Sequence, residues 1–138
     1  MPTYLADKSA LTRRETRPEV RETLEPLLVA GEVATCGVVD LELLYSASGR
    51  ATYRALAEAL RGMPRVPVTD DCVRRALTVQ AMLAERSQHR AVSLPDLLVA
   101  ACAEAAELSV LHYDADFERI GELTGQPTQW IVPRGSVA

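Results

Sequence analysis

The sequence predicts an α/β protein built on a mostly parallel sheet of four to five strands flanked by helices. Three observations carry that expectation. Short apolar runs alternate with longer stretches of helical periodicity, and the connections between them are brief, which is the pattern of successive βα units. Two of the apolar runs, Tyr4–Ala6 and the one closing at Tyr113, end directly on acids, Asp7 and Asp114, and pass at once into helix. A length of 138 residues suits one packed core, so a single domain spanning 1–138 is expected.

The first strand, Thr3–Ala6, is apolar enough for the middle of a sheet. Asp7 at its end either caps the following helix or belongs to a site in the crevice outside the carboxyl ends of the strands. Ser9–Arg14 reads as a short helix, and Arg13–Arg17 as a connection with a cluster of positive charge. Pro18 suits the first turn of a second helix, in which Val20, Leu24, Leu27 and Leu28 recur at helical spacing until Gly31 stops it. Val33–Thr35 makes a second strand.

Gly37–Ser48 is the most informative helix. At about 100° per residue, Val38, Val39, Leu41 and Tyr45 form an apolar arc with Glu42 inside it, while Asp40 falls on the far side. A carboxylate in an apolar face has to be ion-paired, hydrogen-bonded or bound to a metal, and the wheel leaves those alternatives open.

Ala51–Met63 continues as an amphipathic helix with Tyr53, Leu56 and Leu60 expected inward, and Arg65–Val68, between prolines, is at most a short edge strand. Thr69 caps the next helix, where Asp70 and Asp71 serve the positive end of the dipole and Val73, Leu77, Met82 and Leu83 are expected inward. Ser93-Leu-Pro-Asp96 opens a long Ala- and Leu-rich helix reaching about Leu108, with capping-box spacing and Pro95 in the permitted first turn. Glu104 and Glu107 share the side of Asp96, so the wheel does not single that acid out. Ser109–Tyr113 is a strand ending on Asp114; Asp114-Ala-Asp116-Phe117 enters a helix closed by Gly125, and Trp130–Val132 is a last strand. The closing Val132–Ser136 stretch is given no function.

A formal charge of −4 excludes whole-protein attraction to nucleic acid, so any polyanion has to meet a local patch. All but one of the 15 basic residues are Arg, whose planar guanidinium suits phosphate, although Arg also stands on faces that look merely solvated. Cys36, Cys72 and Cys102, without a Cys-x-x-Cys pair, read as buried free thiols. His89 and His112 are too few and too isolated for a zinc cluster. With neither a secretory apolar core nor a run of membrane-spanning length, a cytoplasmic protein is expected.

Asp7 and Asp114 end strands, Asp96 opens a helix and Glu42 sits on the inner face of another, places that a parallel sheet can bring to one edge. Carboxylates about 4 Å apart repel by roughly 4 kcal/mol per pair at an effective dielectric of about 20. Several in one pocket therefore demand a cation, and an all-oxygen set selects a hard divalent ion, Mg²⁺ or Mn²⁺.

Asp7-Lys-Ser-Ala-Leu, Val-Asp-Leu-Glu42, Leu-Pro-Asp96 and Asp114-Ala-Asp116-Phe117, in this order, resemble the PIN-domain pattern, and the length matches the VapC-type toxins of bacterial toxin–antitoxin pairs. The resemblance implies a three-layer sandwich and a metal-dependent endoribonuclease that cleaves RNA phosphodiester bonds. It carries over Asp7, Glu42, Asp96 and Asp114 as catalytic metal ligands, Asp116 as a more variable member of the metal site, and Ser9 as a hydrogen-bonding support. It further implies RNA contacts from Arg13, Arg14 and Arg17, with Arg50 and Arg54 beside them, a homodimer, and a small VapB-like antitoxin. A groove for that antitoxin would come from Leu24, Leu28, Leu44 and Tyr53. Three other readings compete. A housekeeping RNA-processing nuclease keeps the fold and chemistry. An inert α/β binding module explains the capping acids but leaves Glu42 unexplained. A phosphotransfer domain would need a second Asp two residues after the first, where Ser9 stands.

Overall fold

The computed structural model describes residues 1–138. The chain runs β1 (Tyr4–Ala6), α1 (Lys8–Leu11), α2 (Pro18–Val29), β2 (Val33–Cys36), α3 (Gly37–Tyr45), α4 (Arg50–Arg61), β3 (Arg65–Val66), α5 (Asp70–Ala84), α6 (Leu94–Ala105), β4 (Ser109–His112), α7 (Asp116–Thr124) and β5 (Thr128–Trp130). The five strands are all parallel, in the order β3-β2-β1-β4-β5, so the first strand of the sequence is the central one. Leu5 pairs with Ala34 on one side and Val110 on the other, which brings the ends of β1 and β4 side by side.

The two-residue period of the strands divides the core into two layers. Leu5, Ala34 and Val110 join a cluster of 22 buried residues with α3, α5, α6 and α7, whereas Ala6, Val33 and Leu111 join eight residues that include Val20 and Leu24 of α2. The result is a helix–sheet–helix sandwich. No helix is long and apolar enough to cross a membrane. Cys36, Cys72 and Cys102 are buried free thiols, as their surroundings in sequence predicted.

Local chemistry sets the element ends. Gly31, at φ +71°, closes α2: its N–H reaches Leu28 O at 3.1 Å, and that of Glu32 reaches Leu27 O at 3.0 Å, the double bond that turns a helix sharply into the next strand. Thr69 and Ser93 cap α5 and α6 by accepting from the N–H of Cys72 and Asp96.

Three helices bury only part of the face their wheels predicted. α3 buries Val39 and Leu43, while Leu41 is 72% and Tyr45 93% exposed. α5 buries Cys72, Ala76, Val79 and Leu83, leaving Leu77 59% exposed and Val73 outward as well. On α4 Leu60 is buried and Leu56 packs against the core as expected, while Tyr53 faces solvent. For α5 the reason is its packing against α6, where Ala100 and Ala101 stand beside Val79 and their small side chains accept a close neighbour. Among the other boundaries, α1 ends at Leu11, α3 at Tyr45, and β5 at Trp130, so the buried Ile131 and Val132 follow the last strand rather than form it.

Candidate metal centre

Asp7 is both a cap and a buried acid. Its Oδ2 accepts the N–H of Ser9 at 3.0 Å at the start of α1, whereas its Oδ1 is buried without a partner. Ser9 Oγ in turn accepts the N–H of Tyr113 at 2.8 Å, which ties the loop after β1 to the end of β4.

The turn after β4 is organised by its own side chains. His112 Nδ1 accepts from Asp114 N–H at 3.1 Å, and Asp114 Oδ1 accepts from Asp116 N–H at 2.9 Å. Asp116 Oδ2 takes the N–H of Ser93 at 3.1 Å, joining this turn to the start of α6, where Asp96 is 3% exposed. One carboxylate oxygen from each of Asp96, Asp114 and Asp116 lies within 4.8 Å of the other two. Asp116, which the resemblance made the more variable member, is thus one of the three acids of this group, whereas Asp7 and Glu42 are not among them.

Negative charge accumulates here, with Lys8 the nearest cation. Burial first, and then the charges of Glu42 and Asp114, push the Asp7 carboxyl above its usual range against the opposing hydrogen bonds from Ser9. Asp96 is pushed up to about 9 by burial, by its hydrogen bond with Asp116, and by the charges of Asp7, Asp114 and Asp116. None of the eight salt bridges reaches Asp7, Asp96, Asp114 or Asp116. Converging oxygen donors, an orphaned buried carboxylate oxygen and no salt bridge to these four acids fit a hard divalent cation.

Glu42 stands at the rim. Its Oε2 pairs with Lys8 Nζ at 3.2 Å, and its Oε1 is buried without a partner. Glu42 therefore has a salt bridge as well as an oxygen free for the site, and Lys8, the single lysine of the chain, is the residue that sequence reasoning overlooked. Its position directly after Asp7 was the available signal. Beside the acids, Lys8, Arg13, Tyr113 and Asp114 line one cavity of 380 Å³. Arg13 lies 4.6 Å above the Tyr113 ring and donates to Ser9 O at 2.7 Å. Arg14 is instead committed to Glu25, and Arg17 donates to its neighbour Thr16 O. Arg50 and Arg54 are exposed on α4 and line no wall of that cavity. The Tyr113 hydroxyl accepts the N–H of Gly135 and donates to Val137 O, which brings the tail excluded from function beside the site.

A parallel sheet whose carboxyl edge clusters Asp96, Asp114 and Asp116, with Asp7 and Glu42 near enough to add their charge, defines an α/β protein with an acidic pocket compatible with a divalent cation. The PIN domain matches residues 4–123. Ribonuclease VapC51 of Mycobacterium tuberculosis is 48% identical over 134 residues, 97% of this chain and 96% of that protein. Ribonuclease VapC18 of the same organism is 44% identical over 136 residues, covering 97% and 98%. In structure, DNA-bound VapBC from Salmonella typhimurium superposes with a TM-score of 0.73 at 16% identity, over 96% of this chain and 100% of that one. The chain belongs to the PIN-domain family.

Proposed function

We infer that this protein is a metal-dependent endoribonuclease, the toxin of a type II toxin–antitoxin pair, acting in the cytoplasm as a single domain. The observation that carries the reading is the convergence of Asp96, Asp114 and Asp116, none of them in a salt bridge, in a protein 48% identical across almost its whole length to a ribonuclease. Housekeeping RNA processing would use the same centre, but the full-length similarity to VapC proteins favours the toxin.

Asp7, Asp96 and Asp114 are proposed to hold the ion, with Asp116 and Glu42 completing its surroundings, and oxygen donors of this kind suit Mg²⁺ or Mn²⁺. When bound, such an ion supplies Lewis acidity for attack of water on a phosphodiester and for the charge that develops on the phosphoryl oxygens. The chain does the rest. Ser9 keeps the loops after β1 and β4 at a fixed separation, the Asp114 and Asp116 turn aims its carboxylates, and Arg13 with Lys8 offers positive charge to a neighbouring phosphate.

Glu42 gives a test of its own. An ion pair as exposed as Lys8–Glu42 contributes about 0 to 1 kcal/mol, and removing the Glu42 charge also relieves repulsion on Asp7. Glu42→Gln is therefore expected to leave the melting temperature of the metal-free protein nearly unchanged while weakening Mn²⁺ binding and RNA cleavage. Marked destabilisation of the metal-free variant would instead make Glu42 a structural ion pair.

The partner reading rests on the toxin–antitoxin complexes among the structural neighbours, such as the VapBC complex from Salmonella typhimurium. A groove of 590 Å³ lined by Leu11, Leu28, Leu43, Leu56, Leu60 and Met63 is proposed to take an apolar segment of a small antitoxin. Of the four residues proposed from sequence only Leu28 lines it; Leu24 is core, Leu44 packs against the core and Tyr53 is exposed. A homodimer is proposed alongside, with the outward Leu41 and Tyr45 available to a second copy. Co-expression with the adjacent small gene should yield a complex without ribonuclease activity, holding two toxin chains by light scattering. Two proteins that do not co-purify would count against the toxin, and a single toxin chain against the dimer.

A further inference from the structure

A ladder of side-chain acceptors runs from the core to the last acid of the centre. His112 Nδ1 takes the N–H of Asp114, Asp114 Oδ1 that of Asp116, Asp116 Oδ2 that of Ser93, and Ser93 Oγ that of Asp96. Every member except the first is an acid of the cluster or a helix cap. His112 is fully buried, with its ring 5.0 Å from Phe117 and 4.9 Å from Trp130, and its Nε2 has no partner. An apolar ring would fill that slot without an unsatisfied nitrogen, so packing alone does not account for an imidazole here. What the imidazole adds is Nδ1, which meets a backbone N–H two residues on, as Asn and Asp side chains do in Asx turns. An Asp at 112 would place one more buried carboxylate beside a cluster already short of counter-charge.

We propose that His112 is a positioning residue of the metal centre: its Nδ1 holds the Asp114 peptide and so fixes the direction in which Asp114 and Asp116 present their carboxylates. This rests on the reading of the acids as a divalent-cation site. The rings of Phe117 and Trp130 clamp the imidazole, the imidazole clamps the turn, and the turn aims two acids of the centre, of which Asp116 accepts the N–H of Ser93 at the cap of α6. In metal sites, groups that orient the ligands typically govern affinity although they never touch the ion.

Two variants separate the acceptor from the ring. His112→Asn puts an amide oxygen where Nδ1 sits, whereas His112→Phe keeps a ring and removes the acceptor. Mn²⁺ binding to the metal-free chain, followed by the loss of the free-ion electron paramagnetic resonance signal, should fall about 10- to 100-fold in His112→Phe and stay within about threefold of wild type in His112→Asn. Hydrogen exchange at the Asp114 amide should quicken in the Phe variant only. Wild-type affinity in His112→Phe, or equal losses in both variants, would overturn the assignment. So would a nitrogen-15 spectrum of the wild-type imidazole showing the proton on Nδ1, a measurement that needs no variant to fold. A wild-type chain that takes up no Mn²⁺ would overturn the metal-centre reading itself, together with this inference.

Discussion

Asp7→Asn should abolish RNA cleavage in Mg²⁺ or Mn²⁺ while the metal-free protein folds and melts at a higher temperature than wild type. The substitution isolates charge from shape. Asparagine is as good a helix cap as aspartate, so the bond that Oδ2 accepts from Ser9 has a replacement. What disappears is a fully buried ionisable group whose other oxygen has no partner and whose charged form is disfavoured by burial and by the charges of Glu42 and Asp114. Removing it relieves the metal-free fold and deprives the ion of a ligand at the centre of the sheet. The loss of cleavage should exceed the 10- to 100-fold that removal of an orienting group typically costs, since a ligand itself is gone. A purified variant that cuts single-stranded RNA at the wild-type rate would remove Asp7 from the site. A variant that melts lower in chelator would show that the cap matters more than the charge.

In chelator, the acidic cluster should make the protein less stable as pH rises from about 4 to about 9, and saturating Mn²⁺ should reverse that trend. The folded-state value of Asp96 is about 9 against an ordinary 3.8. Across that window the folded chain binds more protons than the unfolded one. Stability from this group is therefore fully present below its unfolded value and lost as pH passes through its folded value, by up to about 1.4 kcal/mol per pH unit for one proton. The raised Asp7 carboxyl acts in the same direction. Ion binding displaces the protons, so affinity should rise over the same range. Melting curves between pH 5 and 9, with and without Mn²⁺, measure both. Asp96→Asn should flatten the curve recorded in chelator. An unchanged slope in that variant would place the titration elsewhere, and a slope that rises with pH in the wild type would contradict the burial of the cluster.

By itself, the sequence determined the order of the elements, because strand and helix periods and capping residues act over a few neighbouring positions. It also determined the junctions where β1 and β4 run onto Asp7 and Asp114. Matters settled by what packs against what lay outside it. The wheel of α3 found an apolar arc, but contact with α4, α6 and β2 buried Val39 of that arc together with Leu43 from outside it, and left Leu41 and Tyr45 exposed. Asp96 looked like Glu104 and Glu107 along one helix face; in the fold Glu104 pairs with Arg75, while Asp96 is carried beneath the turn after β4. Lys8 was one charge among many until Glu42 met it, and His112 one isolated histidine until its Nδ1 met the Asp114 peptide. A helical or strand period is a property of a single segment, whereas burial and electrostatic cost arise from the charges and surfaces that several segments bring to one place, and only the tertiary structure brings them there.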